Sequence, residues 1–192
     1  MENTILIVTA DHGEGLGEKY VFGHGVSADQ NQLGVPFLIK YPHQKEHEEV
    51  SVPVSQVDVL PTVLDVLEFP AEAVDGLSLR RLEGSNRQSV IGVSFPKVDS
   101  KRTALKRYSK GVQAVYSGSR KLLVYGTGEM ELYDLASDPG EKNNLVPSSK
   151  AEVKQLAAAL DHWLQTTPKF AGKGKQADEQ MLERLKGLGY VQ

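Results

Sequence analysis

Cysteine is absent from all 192 residues. That excludes disulfides, thiolate zinc sites and any cysteine-derived nucleophile within these residues, and it leaves the compartment open. Cationic excess is lacking too: 22 lysines and arginines stand against 25 acids, a net charge of −3. A basic nucleic-acid face is therefore not expected. No apolar run approaches the ~18 residues of a membrane span. Nor is a cleavable leader expected, since Met1 is followed by an acid and then a strand-like run. No internal repeat is visible. What remains is 40% apolar and 24% charged, an ordinary globular composition, long enough for one large domain or one and a half small ones.

The two halves differ in pattern. Asn3 to Thr9 is continuously apolar around Ile5-Leu6-Ile7-Val8, which predicts a strand buried on both faces. "VPFLIKY", Val35 to Tyr41, predicts a second strand, with Pro36 at its start where the missing donor does least harm. Residues 42–49, "PHQKEHEE", are polar and predict an exposed loop. Its His43 and His47 are four apart but lack the H-E-x-x-H pattern, so they read as solvated. Val57, Leu60, Leu64 and Leu67 recur at helical spacing and predict a helix from Asp58 to Leu67, with Asp58 as N-cap and Pro61 in the first turn.

In the second half, "SVIGVSF", "GVQAVYSG", "KLLVYGTG" and "MELYDLA" predict four short strands, punctuated by Gly118 and by Gly126-Thr127-Gly128. Such spacing favours an antiparallel meander. Tyr116, Tyr125 and Tyr133 alternate with aliphatic residues and read as sheet packing. Ser149 with Glu152 forms a capping box ahead of a helix whose Val153, Leu156, Leu160 and Trp163 share one face. "KFAGKGKQAD" reads as a solvated linker, and Glu179 to Leu188 as a short terminal helix ending at Gly189.

The chemistry concentrates in "TADHGEGLGE", residues 9–18. A strand ending on adjacent Asp11 and His12 places a hard oxygen and an imidazole nitrogen at the carboxyl end of a sheet, where open α/β folds keep their sites. Together they suit calcium, magnesium, manganese or zinc, with the remaining ligands from elsewhere. The same dipeptide also serves as a plain turn cap, yet glycines at 13, 15, 17, 23 and 25 exceed what a turn requires. His24, between Gly23 and Gly25, can fold back over a metal to meet an anion or protonate a leaving oxygen. Alternatively it is a surface loop residue. Glu18 and Lys19 are most simply solvated charges. Gly13, Gly15 and Gly17 do not make a G-x-G-x-x-G dinucleotide fingerprint.

"NTILIVTADHGEGLGE", "FGHG" and "GVPFLIKYP", followed by "VSQVDVLPTVLDVLEFP", "DGLSL", "GSRKLLVYGTGEMELYDLASDPGEKNNL" and "LERLKGLGYV", resemble the C-terminal half of a sulfatase of the alkaline phosphatase superfamily. The likeness runs in order through nearly the whole chain. It implies an α/β fold: part of an alkaline-phosphatase-like three-layer sandwich, plus a C-terminal four-stranded antiparallel sheet with a packed helix. The expected division is 1–87 for the catalytic α/β part and 88–192 for a small α+β subdomain with linker and terminal helix. By the resemblance, Asp11 and His12 complete a divalent metal site, usually calcium, with Mg, Mn or Zn as alternatives. His24 falls where members carry a lysine or histidine that contacts the sulfate. Lys19 stands where many members have a histidine; the chain departs there, reading Glu18-Lys19-Tyr20, and a cation at 19 would still meet an anionic ester. Lys121 is expected away from the metal.

The resemblance further implies a preceding half that carries two acidic ligands and a formylglycine nucleophile. The expected function is thus the C-terminal portion of a metal-dependent sulfatase, inactive alone, whose partners are a sulfate ester, small molecule or glycan, and the missing N-terminal half. Two alternatives stand beside it: a phosphodiester or phosphonate monoester hydrolase or phosphoglycerol-type transferase of the same superfamily, and a non-catalytic accessory domain. An exposed sheet edge offers a route to oligomers. Relatives are often periplasmic, secreted or lysosomal.

Overall fold

The apolar run near the N-terminus folds as a short strand, β1 (Leu6–Thr9). After it the glycine-rich stretch makes a two-residue ladder between β2 (Gly15–Leu16) and β3 (Phe22–Gly23), closed by a 3-10 turn at Glu18–Tyr20. A single helical turn, α1 (Gln30–Leu33), leads to β4 (Phe37–Lys40), which pairs antiparallel with β1 in the register Leu6↔Lys40 to Thr9↔Phe37. These elements come from a computed structural model that describes residues 2–71, 74–83, 85–94 and 103–167. The expected linker at 169–178 and terminal helix at 179–188 lie outside the described residues.

The first strand departs from expectation. Leu6, Val8 and Leu38 are about half exposed, at 46%, 50% and 60%, so β1 is not buried on both faces. The cause is topological: β4 is its sole partner among the described residues, and a two-stranded ribbon cannot cover both of its own faces.

The predicted helix near residue 60 begins differently from its forecast. Ser55 and Asp58 form a capping box around a 3-10 turn, Gln56–Asp58, that runs into α2 (Val59–Val66). Asp58 directly precedes α2, but its carboxylate accepts the Ser55 N–H at 2.8 Å and the Leu77 N–H at 2.9 Å, and is gripped by Arg87 through both oxygens at 2.5 Å. It is fully buried. Burial pushes the carboxyl up, but the guanidinium and the two N–H donors push it further down, so it lies below its ordinary value.

The four expected strands form one antiparallel meander: β5 (Val90–Ser94), β6 (Val112–Ser117), β7 (Arg120–Tyr125) and β8 (Met130–Asp134), in that order. Alternation sorts its side chains. Val115, Leu122 and Leu132 are buried on one face; Val112, Ala114, Leu123, Tyr125 and Tyr133 on the other. The second face gathers the core, and it also takes in Tyr108 and, from the glycine-rich half, Val21 and Ala28. Burial of Val21 contributes about 1.5–3 kcal/mol and that of the Ala28 methyl about 0.8 kcal/mol, so the segment carrying them is held on the sheet by packing. Helix α3 (Lys150–Thr166) starts after Ser149 and buries Leu156 and Leu160. Its Glu152 reaches Arg120 Nε on β7 at 3.1 Å. Internal packing divides the chain into Met1–Asp161 and His162–Gln192, and the site lies within the first.

Candidate functional site

The chain turns sharply at the end of β1. The His12 N–H donates to Asp11 Oδ1 at 3.0 Å, and the ring Nδ1 lies 2.8 Å from the Gly13 carbonyl. A carbonyl only accepts, so Nδ1 carries the hydrogen and Nε2 presents its lone pair. That atom stands 3.7 Å from Asp11 Oδ2. A neighbouring element steadies the turn: the Gln56 side chain donates to the carbonyls of Ala10 and, at 3.4 Å, Asp11.

The β2–β3 ladder then reverses the chain, pairing Gly15 with Gly23. Gly17 permits this because its φ is 118° and because the Phe22 ring packs where a Cβ would sit, 2.9 Å away. The reversal returns His24 to His12, and the two rings stack with centroids 4.3 Å apart. His24 Nδ1 is 3.1 Å from Glu14 Oε2. The carboxylate accepts there, which turns His24 Nε2 away from it. Ligand atoms of His12, Glu14 and His24 all lie within 4.8 Å of one another.

Of the residues singled out in the sequence, Asp11, His12 and His24 converge. Glu14 joins them without having been singled out, although His12 and Glu14 are alternate positions and so share a side of an extended chain. Lys19 is turned elsewhere. Its ammonium is 2.8 Å from Asp29, 3.5 Å from Glu141 and 3.8 Å from Glu131, and lies 4.9 Å over the Tyr133 ring. Burial works against its charge, but Asp29, Glu141 and Glu131 outweigh that and raise its pKa. Lys121, wholly buried, meets Glu141 Oε1 at 2.6 Å. Desolvation lowers its pKa despite that partner. His43 and His47 are exposed.

Asp11 and His12 fit a cation. Metal–oxygen and metal–nitrogen bonds of about 2.0–2.5 Å let two ligands of one ion stand 3–4 Å apart, and the Asp11 Oδ2 to His12 Nε2 separation is 3.7 Å. Fixing Nδ1 on the Gly13 carbonyl is also how ligating imidazoles are commonly oriented. Beside the pair opens a cleft of about 600 Å³, lined among others by Asp11, His12, Gln32, Val54, Tyr116 and Ser119. Residues from both sequence halves thus face one space.

Residues 1–69 match the family model described as Sulfatase. Among curated proteins, the chain is similar to a Delta 4,5-hexuronate-2-O-sulfatase of Bacteroides thetaiotaomicron, 31% identical over 173 residues, covering 84% of this chain and 35% of that protein. Among solved structures, it is similar to a 2-O GAG sulfatase at TM-score 0.68 and 26% identity, covering 85% of this chain and 36% of that one. It is similar as well to a phosphonate monoester hydrolase from Silicibacter pomeroyi, at TM-score 0.66 and 25% identity, covering 86% and 36%. The chain spans about a third of the length of the curated relatives it matches.

Proposed function

The chain belongs to the sulfatase family of the alkaline phosphatase superfamily, and on that premise we propose that the protein carrying it hydrolyses sulfate esters of sugars at a divalent metal held in part by Asp11 and His12. The observation that carries this reading is the convergence at the end of β1. An imidazole with its lone pair exposed faces a carboxylate oxygen at 3.7 Å, and a second imidazole stacks 4.3 Å away. Calcium is the family's usual ion; the His12 nitrogen keeps manganese and zinc as alternatives.

When bound, the ion neutralises charge on the sulfuryl oxygens. In its doubly protonated form, with Nδ1–H given to Glu14, His24 adds a hydrogen bond to that charge, or a proton to the leaving oxygen, through Nε2. Glu14 holds the ring for this by accepting from Nδ1. The attacking group comes from a segment beyond this chain. Sulfated sugar is the preferred substrate class because the similar curated protein is named for hexuronate 2-O-sulfate and the similar structure for a 2-O GAG sulfate.

The test is turnover of an aryl sulfate and of a 2-O-sulfated uronate by the protein carrying this chain. Asp11→Ala should abolish both activities. Wild-type-like turnover in that variant would remove the metal assignment. One observation favours a second reading, phosphonate or phosphate monoester hydrolysis: the likeness to a phosphonate monoester hydrolase. Paired assays on sulfate and phosphonate esters of one alcohol decide between the two.

A further inference from the structure

The two histidines belong to separate arms of the loop, joined by the two-residue β2–β3 ladder and the Glu14–His24 contact, and both arms also lean on α1. His12 is followed by Gly13, whose N–H donates to the Gln32 main-chain carbonyl at 2.8 Å. His24 is preceded by Gly23, whose carbonyl accepts from the Gln32 side-chain Nε2 at 3.3 Å. The other end of that amide, Oε1, accepts the Ser27 N–H at 3.4 Å. Gln32 is 97% buried, its exposure being 3%, so these bonds form in a place where an unmade one costs most. Gly13 lies so close to α1 that a Cβ there would sit 2.0 Å from the Asn31 carbonyl oxygen.

Helix α1 is a single turn and needs an external fix. It receives one from the far half of the chain. Glu141 Oε2 accepts the Gln30 N–H at 3.0 Å and its Oε1 meets Lys121 on β7 at 2.6 Å. Tyr116 on β6 donates to Gln30 Oε1 at 3.0 Å, and Tyr108 donates to Asp29 Oδ2 at 3.3 Å. Lys19 spans Asp29 and Glu141. A continuous set of bonds therefore runs from the meander through Glu141 and α1 to the glycines flanking the two imidazoles.

We propose that Gln32 is a two-armed positioning residue: its main chain holds the His12 arm through Gly13, its side chain holds the His24 arm through Gly23, and Glu141 sets where it stands. The proposal rests on reading His12 and His24 as site residues. It assigns the Lys19 ammonium to the anchor beneath the loop. The Gln32 side chain and the Glu141 carboxylate thereby govern the spacing of the imidazoles through hydrogen bonds to the backbone that carries them.

The test is NMR of the full 192-residue chain with labelled histidine, with neither metal nor ester added. In wild type the stacked rings give a cross-peak between His12 and His24. Gln32→Met removes the side-chain donor but leaves the main-chain carbonyl. The expected result is loss of that cross-peak while the Gly13 amide stays protected and the signals of β6 and β7 are unchanged. The double variant Glu141→Gln/Lys121→Met, which removes both buried charges while an amide oxygen still accepts the Gln30 N–H, should weaken the cross-peak less. Persistence of the cross-peak in Gln32→Met overturns the proposal. Should that variant fail to fold, Gln32→Leu, which likewise leaves the main-chain carbonyl and cannot donate to Gly23, is read in the same way. Loss of the sheet signals in both variants also overturns it, because Gln32 would then be a general stability residue. Since no ester is present, the result stands apart from whether the protein turns over a sulfate.

Discussion

Residues 11–25 and the β5–β8 meander are built on opposite plans. In the meander, Val112, Ala114, Val115, Leu122, Leu123 and Leu132 are fully buried, and the ladders are continuous. In the loop, the side chains of Asp11, Glu14 and His24 are 63%, 49% and 55% exposed, and its only ladder is two residues long. One region is packed and apolar, and the other presents exposed ligand-type side chains and borrows its order. The loan runs through buried polar groups: Asp29, Gln32, Lys121 and Glu141 are each 5% exposed or less. Val21 anchors the loop by packing into the core, and hydrogen bonds from the same scaffold hold the polar residues that face solvent.

If that division is right, scaffold and site variants should separate cleanly. The largest effect on stability belongs to Arg87→Met. It strips the buried Asp58 carboxylate of its cation and should cost about 3 kcal/mol at pH 7 by denaturant titration. The Asp58 pKa is held below its ordinary 3.8 in the fold. Its stabilisation is therefore present above that value and lost as pH falls through the folded value. The gap between wild type and variant should accordingly narrow once the pH drops below about 4, and a gap unchanged with pH would contradict the role given to the pair. Leu123→Ala, at the centre of the meander, should cost about 2–4 kcal/mol, with turnover per folded molecule retained.

His24→Ala should show the reverse. Its ring is half exposed, so the melting curve should move by less than about 0.5 kcal/mol while turnover falls about 100-fold. A His24→Ala protein that loses stability and keeps activity would erase the distinction between the two regions. Smallest of all is His47→Ala, an exposed position away from the converging ligands. Neither stability nor cation binding should change beyond about 0.5 kcal/mol.

How far this arrangement can be read in the sequence depends on the range of the bonds involved. The meander is legible because glycines punctuate alternating apolar residues, and α3 because Leu156 and Leu160 fall four apart. Asp11 and His12 stand out as a polar pair that ends an apolar strand, and His24 by its flanking glycines. Gln32 and Gln56 carry no such signal. Each is an uncharged amide, and their partners lie 9 and 46 residues away. Glu141 is farther still, 111 residues from Gln30. Only the fold makes such pairs neighbours. Lys19 shows the opposite failure: an exposed-looking cation beside the site points inward, because three carboxylates from two distant segments meet it there. The exposed face of β1 is misjudged for a related reason, since an apolar run states what a strand can bury and not how many neighbours it has.

Lys19 and Glu141 share one more property. Both sit in left-handed backbone, with φ of 48° and 52°, where a side chain costs about 1–2 kcal/mol. A search for thermostable variants would reach for glycine at both. At Glu141 it would fail. Relief of about 1 kcal/mol is smaller than the roughly 3–5 kcal/mol of leaving a buried ammonium without its anion, and Lys121 has no exposure through which to regain water. Evolutionary drift meets the same arithmetic. The two positions are tied to each other and to Lys121, so substitutions there should be tolerated only together, as a joint exchange of charge and backbone shape.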